Sequence, residues 1–159
     1  MAFPLIDTPA WCVVTAAGAG ARLGSSKPKA LVPVRGIPIV ERAVRGILDA
    51  TIEGRGVVAG IIVTAPRNSL DTVRSLFAQD ERVHVISGGY SRQDSVRLGL
   101  EEIPLFAQRL GYAITDTTPV LIHDAARCLT PSSVVAEVVN VLRSGDRGVV
   151  PVLPVTDSL

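Results

Sequence analysis

The sequence predicts an α/β fold, a mainly parallel sheet with helices on both faces. Three observations predict it. Short runs rich in Val and Ile alternate with segments of helical periodicity. The runs are continuously apolar, with none of the polar alternation of a half-solvated strand, so they read as strands covered on both sides. Strand–helix–strand order in turn favours parallel pairing through right-handed crossovers.

Taken in chain order, Trp11–Thr15 (WCVVT) is the first strand. Val57–Thr64, Val83–Ile86, Val120–His123 and Gly148–Val152 follow it. Pro38 opens the first helix, where its missing N–H is no loss, and Val40, Ala43, Val44, Ile47 and Leu48 fall on one side. Ser69 stands as the cap of a second helix carrying Leu70, Val73, Leu76 and Phe77. The segment Ser91–Ile103 puts Val96, Leu100 and Ile103 on one stripe. Pro131–Leu142 groups Val134, Val135, Val138, Val139 and Leu142.

A chain of 159 residues, 47% of them hydrophobic, has the size and apolar content of one domain with a full core. A net charge of +1 gives no bulk attraction to nucleic acid. No apolar stretch is long enough for a bilayer, so no membrane partner is expected. The N-terminus lacks a basic region ahead of an apolar run, and Asp7 and Pro9 interrupt it, unlike a secretory leader. Cys12 and Cys128 lie far apart without metal-ligand spacing, which points to a reducing cytoplasm. The chain stops at Asp157-Ser158-Leu159, just after the last expected strand and with no closing helix. The expectation is one domain over residues 1–159, cut short at its C-terminus.

Three segments carry candidate chemistry. The first follows the first strand: Ala16-Ala17-Gly18-Ala19-Gly20-Ala21-Arg22-Leu23-Gly24, then Pro28-Lys29. Small residues beyond a strand's carboxyl end let main-chain N–H groups approach a phosphate chain, and Arg22 and Lys29 add fixed positive charge. The spacing fits neither a dinucleotide fingerprint, whose third glycine comes one residue earlier, nor a P-loop, whose Gly-Lys-Ser/Thr is absent. The second is Gly88-Gly89-Tyr90-Ser91-Arg92-Gln93-Asp94-Ser95-Val96, with Ser95 able to donate a hydroxyl bond. The third is His123-Asp124-Ala125-Ala126-Arg127 at the end of the fourth strand. There Asp124 suits a ribose hydroxyl or a magnesium-bound phosphate, and the forked donors of Arg127 suit a substrate phosphate. Each segment also has a purely architectural reading: a tight turn, a capping serine, an Asp–Arg pair. His123 and His84 read as core residues, and Arg42, Arg45, Arg74 and Arg97 as solvated.

The order AAGAGARLG with PK, GGYSRQDSV with GL, HDAAR and PVTDS resembles the 2-C-methyl-D-erythritol 4-phosphate cytidylyltransferase family, from about Val13 to Leu159. The resemblance implies a Rossmann-like nucleotidyltransferase fold and Mg2+-assisted (divalent-cation) chemistry. CMP would pass from CTP to the sugar-alcohol phosphate 2-C-methyl-D-erythritol 4-phosphate with release of pyrophosphate, in isoprenoid precursor synthesis. It implies Arg22 and Lys29 as the catalytic cations. It implies Ala16, Ala17, Gly18, Gly20, Gly88, Gly89, Ser95 and Ala125 around the nucleotide. Asp124 and Arg127 fall near the sugar phosphate, with Asp124 also the candidate metal contact. The family is homodimeric, through an arm expected beyond Leu159. Cys128 stands where the family usually has proline, a change expected to touch the turn and not the chemistry. Two alternatives stay open: transfer to another polyol phosphate such as ribitol 5-phosphate, and a CTP-binding fragment without turnover.

Overall fold

The computed structural model describes residues 4–18 and 28–153. Strand β1 (Leu5–Thr15) leads to a 3-10 turn at Lys29–Leu31 and a small hairpin of β2 (Pro33–Val34) and β3 (Ile37–Pro38). Then come α1 (Ile39–Leu48), β4 (Thr51–Ile52), β5 (Arg55–Ala65), α2 (Leu70–Leu76), β6 (Val83–Ser87), α3 (Arg92–Arg109), β7 (Val120–Asp124) and α4 (Ser132–Arg143). The main sheet is mixed and mostly parallel. β1 lies between β5 and β7, parallel to both, and β6 joins the far edge of β5. β4 is the antiparallel exception. It folds back on β5 through Glu53 and Gly54, with φ of 51° and 74°, the two left-handed residues that a tight type I′ hairpin needs.

The two faces of the sheet hold separate apolar layers. Cys12 and Val14 of β1, with Ile61 and Val63 of β5, pack under Val44 and Ile47 of α1, Val73 of α2 and Val139 of α4. The alternate residues Trp11, Val13 and Ile62 pack under Ile103, Phe106 and Ala107 of α3. The expected two-sided coverage therefore holds for β1 and β5, because strand side chains alternate between faces and both sets are apolar; it fails at β7, where Ile122 is 41% exposed. Two glycines make the second layer possible. A Cβ on Gly60 would sit 2.5 Å from the Trp11 ring, and one on Gly99 would sit 2.4 Å from Val13 Cγ1. Trp11 also meets Phe106 and Tyr112 edge-on, at 5.8 and 5.9 Å between ring centroids.

Several sequence expectations need correction. Gly148–Val152 is not a strand. Among the described residues β7 ends the sheet, and this segment runs past it unpaired, with Val150 and Val152 at 80% and 82% exposure. Pro151 lacks the N–H that a ladder at that place needs. Pro38 does not open the first helix from inside; it closes β3 and sits one residue earlier, as the cap of α1. Ser69 occupies the cap position of α2 without a capping bond, its hydroxyl being given to Asn68 Oδ1 at 3.2 Å. In α3 the buried stripe is Ser95, Gly99, Ile103, Phe106 and Ala107, and Leu100 is 42% exposed. The small Gly99, not a large side chain, is what fits against Val13. Arg42 is not merely solvated either; its Nε donates to the Val34 carbonyl at 2.8 Å and ties α1 to the hairpin.

The contact at Gly60 gives a direct test. Gly60→Ala forces a methyl against the Trp11 ring, and overpacking of this kind costs about 1–3 kcal/mol. Urea unfolding should show that loss with an unchanged slope; a variant as stable as the parent contradicts the packing described.

Candidate active site

The parallel register sets the geometry of the site. Thr15 pairs with Thr64 on one side and with Asp124 on the other, so β1, β5 and β7 end level. Thr15 follows Trp11 and Val13 on the α3 face of the sheet, and Asp124 lies on the same face by register. Helix α3 begins just beyond that edge. Its first turn is fixed by a reciprocal cap: Asp94 N donates to Ser91 Oγ at 3.0 Å, and Ser91 N donates to Asp94 Oδ2 at 3.2 Å. This brings Arg92, the first helical residue, onto the end of β7.

Asp124 is the meeting point. Its Oδ1 accepts from Thr15 Oγ1 at 2.9 Å and from Arg92 Nε at 2.8 Å, and Arg127 Nε stands 3.8 Å from Oδ2. Partial burial alone pushes the carboxyl upward. The hydrogen bonds from Arg92 and Thr15, with the charges of Arg92 and Arg127, outweigh it and hold the pKa below the ordinary carboxylate value. Asp124 is thus an oriented anion at neutral pH.

A cavity of about 370 Å³ opens over these strand ends. Its wall takes in Thr15, Ala16, Ala17 and Gly18 from the end of β1, and Lys29 from the 3-10 turn. Gly89, Tyr90, Ser91, Arg92 and Ser95 come from the α3 start, and Asp124, Ala125 and Ala126 from the end of β7. The loop after β6 is drawn tight against β1. Gly88 N donates to the Ala65 carbonyl at 2.8 Å, and a Cβ on Gly88 would lie 2.4 Å from that of Ala17. Gly88 itself borders an adjoining hollow shared with Ala17 and Gly89.

Of the residues expected from sequence, Ala16, Ala17, Gly18, Lys29, Gly89, Ser95, Asp124 and Ala125 therefore line one cavity. Gly20 and Arg22 lie outside the described residues, as does the PVTDS segment. Arg127 is not part of the cavity wall; it pairs loosely with Asp124 and is largely exposed. Ser95, expected to offer a hydroxyl outward, is committed to its own loop. It accepts from Gly89 N at 3.1 Å and donates to the Ser91 carbonyl at 2.9 Å. Both histidines are part-buried, and the buried Nε2 of His123 has no hydrogen-bond partner among the described residues, unlike the hydrogen-bonded core residue expected. Burial pushes His123 down, with the Asp124 carboxylate pulling the other way. His84 lies over Phe106 with its Nε2 3.3 Å from Glu102. Cys12 is fully buried, which pushes its thiol far up and makes it inert.

Comparison with known proteins bears on what this cavity is. The model of the 2-C-methyl-D-erythritol 4-phosphate cytidylyltransferase family matches residues 10–159. The chain belongs to this family. A cytidylyltransferase of that name from Saccharopolyspora erythraea is 46% identical over 148 residues, covering 92% of this chain and 61% of that protein. The chain spans 57–61% of the length of the curated relatives it matches. A crystal structure of 4-diphosphocytidyl-2C-methyl-D-erythritol synthase superposes with a TM-score of 0.72 at 24% identity, over 97% of this chain and 63% of that one. A Mycobacterium tuberculosis protein solved in complex with manganese shares the fold at a TM-score of 0.56 and 18% identity, over 84% of this chain and 59% of that one.

The sequence reading left two residues of this cavity without a role. Arg92 lies inside the second motif but carried no assigned role, and Thr15 was taken as the end of a strand. The available signal was positional: both border the small-residue segments at strand ends. Their joint action on Asp124 sets the next expectation. Thr15→Val and Arg92→Gln should each move the Asp124 pKa upward, toward the ordinary carboxylate value, in an NMR titration of its carboxyl carbon. Since the native value is depressed, the stability Asp124 contributes is present above the unfolded-state pKa and lost as pH falls through the folded one. A titration unmoved by either change contradicts the pairing.

Proposed function

We propose that this chain carries the nucleotide site of an enzyme that transfers CMP from CTP to 2-C-methyl-D-erythritol 4-phosphate, giving 4-diphosphocytidyl-2-C-methyl-D-erythritol and pyrophosphate. The observation that carries the reading is the convergence of three separated motifs on one cavity at the carboxyl edge of the sheet, in a chain of this family. Ligands of open α/β sheets bind at that edge. We read residues 1–159 as a single nucleotidyltransferase domain.

The chemistry asks for positioning and charge, not for a covalent intermediate. An oxygen of the acceptor's phosphate attacks the α-phosphorus of CTP. The bond to the bridging oxygen breaks, and pyrophosphate leaves with its electron pair. In this reading Ala16, Ala17, Gly18 and Gly20 bring main chain to the nucleotide. Gly88, Gly89 and Ala125 take the base and ribose, and Ser95 holds Gly89 in place for them. Lys29, with Arg22, neutralises the charge that grows on the phosphates as the bond breaks. Asp124 and Arg127 serve the acceptor side. Mg2+ fits as an ion carried by the triphosphate. Among the described residues Asp124 is the one acid lining the cavity, it is held ionised, and no group of three potential ligands occurs. Such an ion takes one or two carboxylates and otherwise phosphate and water, and it supplies charge neutralisation on the phosphate chain. The manganese complex of the M. tuberculosis neighbour supports a divalent cation at this fold.

We place the reaction in a reducing cytoplasm, which suits the free thiols Cys12 and Cys128, and take the working enzyme as the homodimer the family resemblance implies. Pyrophosphate release from CTP should depend on added 2-C-methyl-D-erythritol 4-phosphate. Preference for ribitol 5-phosphate would overturn the acceptor, and CTP binding without any release would leave a binding module only. Within the same assay, Lys29→Ala should lower the rate on the order of 10²–10³-fold while CTP affinity changes far less. Normal turnover by that variant removes Lys29 from its role.

A further inference from the structure

Arg92 is bound at one edge of its guanidinium only. It meets Asp124 through Nε, at 2.8 Å, and not through the outer fork of its guanidinium. Among the described residues its terminal nitrogens have no hydrogen-bond partner, although its side chain is 60% exposed and lines the cavity. A guanidinium carries five N–H donors in a rigid plane, so one edge can be committed while the others stay available. A lysine ammonium has its three donors on one nitrogen and cannot hold two acceptors at opposite edges of a rigid plane. Among the described residues lining the cavity, Lys29 is the other cation.

We propose that Arg92 bridges the site: its Nε holds the Asp124 carboxylate, and its terminal nitrogens take an oxygen of the nucleotide's phosphate chain. The inference rests on the nucleotide reading above and adds a residue to it. Its physical logic is compensation. A bare carboxylate on the wall of a triphosphate pocket repels the ligand. Arg92 neutralises Asp124 and, through the same rigid plane, turns its remaining donors toward the phosphates. Because Arg92 starts α3 and Asp124 ends β7, the bridge also keeps these two walls at a fixed separation, with Thr15 completing the hold on Oδ1.

The test is an equilibrium NMR titration of the full chain, as parent, Arg92→Gln and Arg92→Lys, with CTP and separately with cytidine, which has no phosphate. A charge-assisted bond to phosphate predicts that Arg92→Gln weakens CTP by at least ~10-fold and leaves cytidine within ~2-fold, with Arg92→Lys in between. Equal losses for CTP and cytidine mean that Arg92 only shapes the loop, and unchanged CTP affinity means that it does not reach the phosphates; either result overturns the proposal. A parent chain that binds cytidine but gains nothing from the phosphates of CTP overturns it too, with the base site left standing. A parent that binds neither removes the nucleotide reading and this inference together.

Discussion

Three parallel strands end at the same level, and the site depends on that alignment. Thr15 lies opposite Thr64 and Asp124, so the chain leaving β1, the loop after β6 and the turn after β7 all begin around one point. Parallel pairing fixes this register because β1 and β5 are buried on both faces, where a slip by one residue would exchange the two apolar layers. Trp11 over Gly60 and Val13 over Gly99 lock it further, since neither contact survives a shift.

Electrostatics then makes the aligned ends into a site. Other charged pairs lie on the surface, as with Arg97 and Glu101, where such pairs contribute little. Asp124 differs in being half-buried and shared by three groups from three parts of the chain. Around it the wall is small and main-chain-rich: Ala16, Ala17, Gly18, Gly89, Ala125 and Ala126. Gly88 and Gly89 serve different needs here. Gly88 lets the β6 loop press against Ala17, and Gly89 passes so close to Asp94 that a Cβ would lie 2.3 Å from that side chain. A phosphate chain and a flat base are the kind of ligand such a surface receives, because main-chain donors can approach both closely.

Much of this was legible in sequence, and the exceptions have physical causes. β5 is a continuous apolar run and could be read directly, but β1 starts at Leu5, six residues before the apolar run. Asp7 and Pro9 break its pattern, and only pairing with β5 reveals it as strand. Gly148–Val152 has a strand's composition but no neighbour to complete a ladder beyond β7. In α3, large side chains suggested the wrong stripe because the tight spot over Val13 admits only Gly99. Within the site, the glycine segments and the His-Asp-Ala-Ala-Arg run announced themselves by composition. Thr15 and Arg92 did not, since each acquires its role from a partner 109 or 32 residues away. Family membership names the chemistry expected at this edge, while register and charge explain why these residues are suited to it.

The central claim is that the carboxyl edge of this sheet grips a cytidine triphosphate. A crystal structure of the chain grown with CTP and magnesium tests it most directly. The account predicts triphosphate density along the Ala16–Gly18 main chain, between Lys29 and Arg92, with the base against Gly88 and Gly89. Nucleotide density at any other surface, with this cavity holding solvent alone, would contradict it.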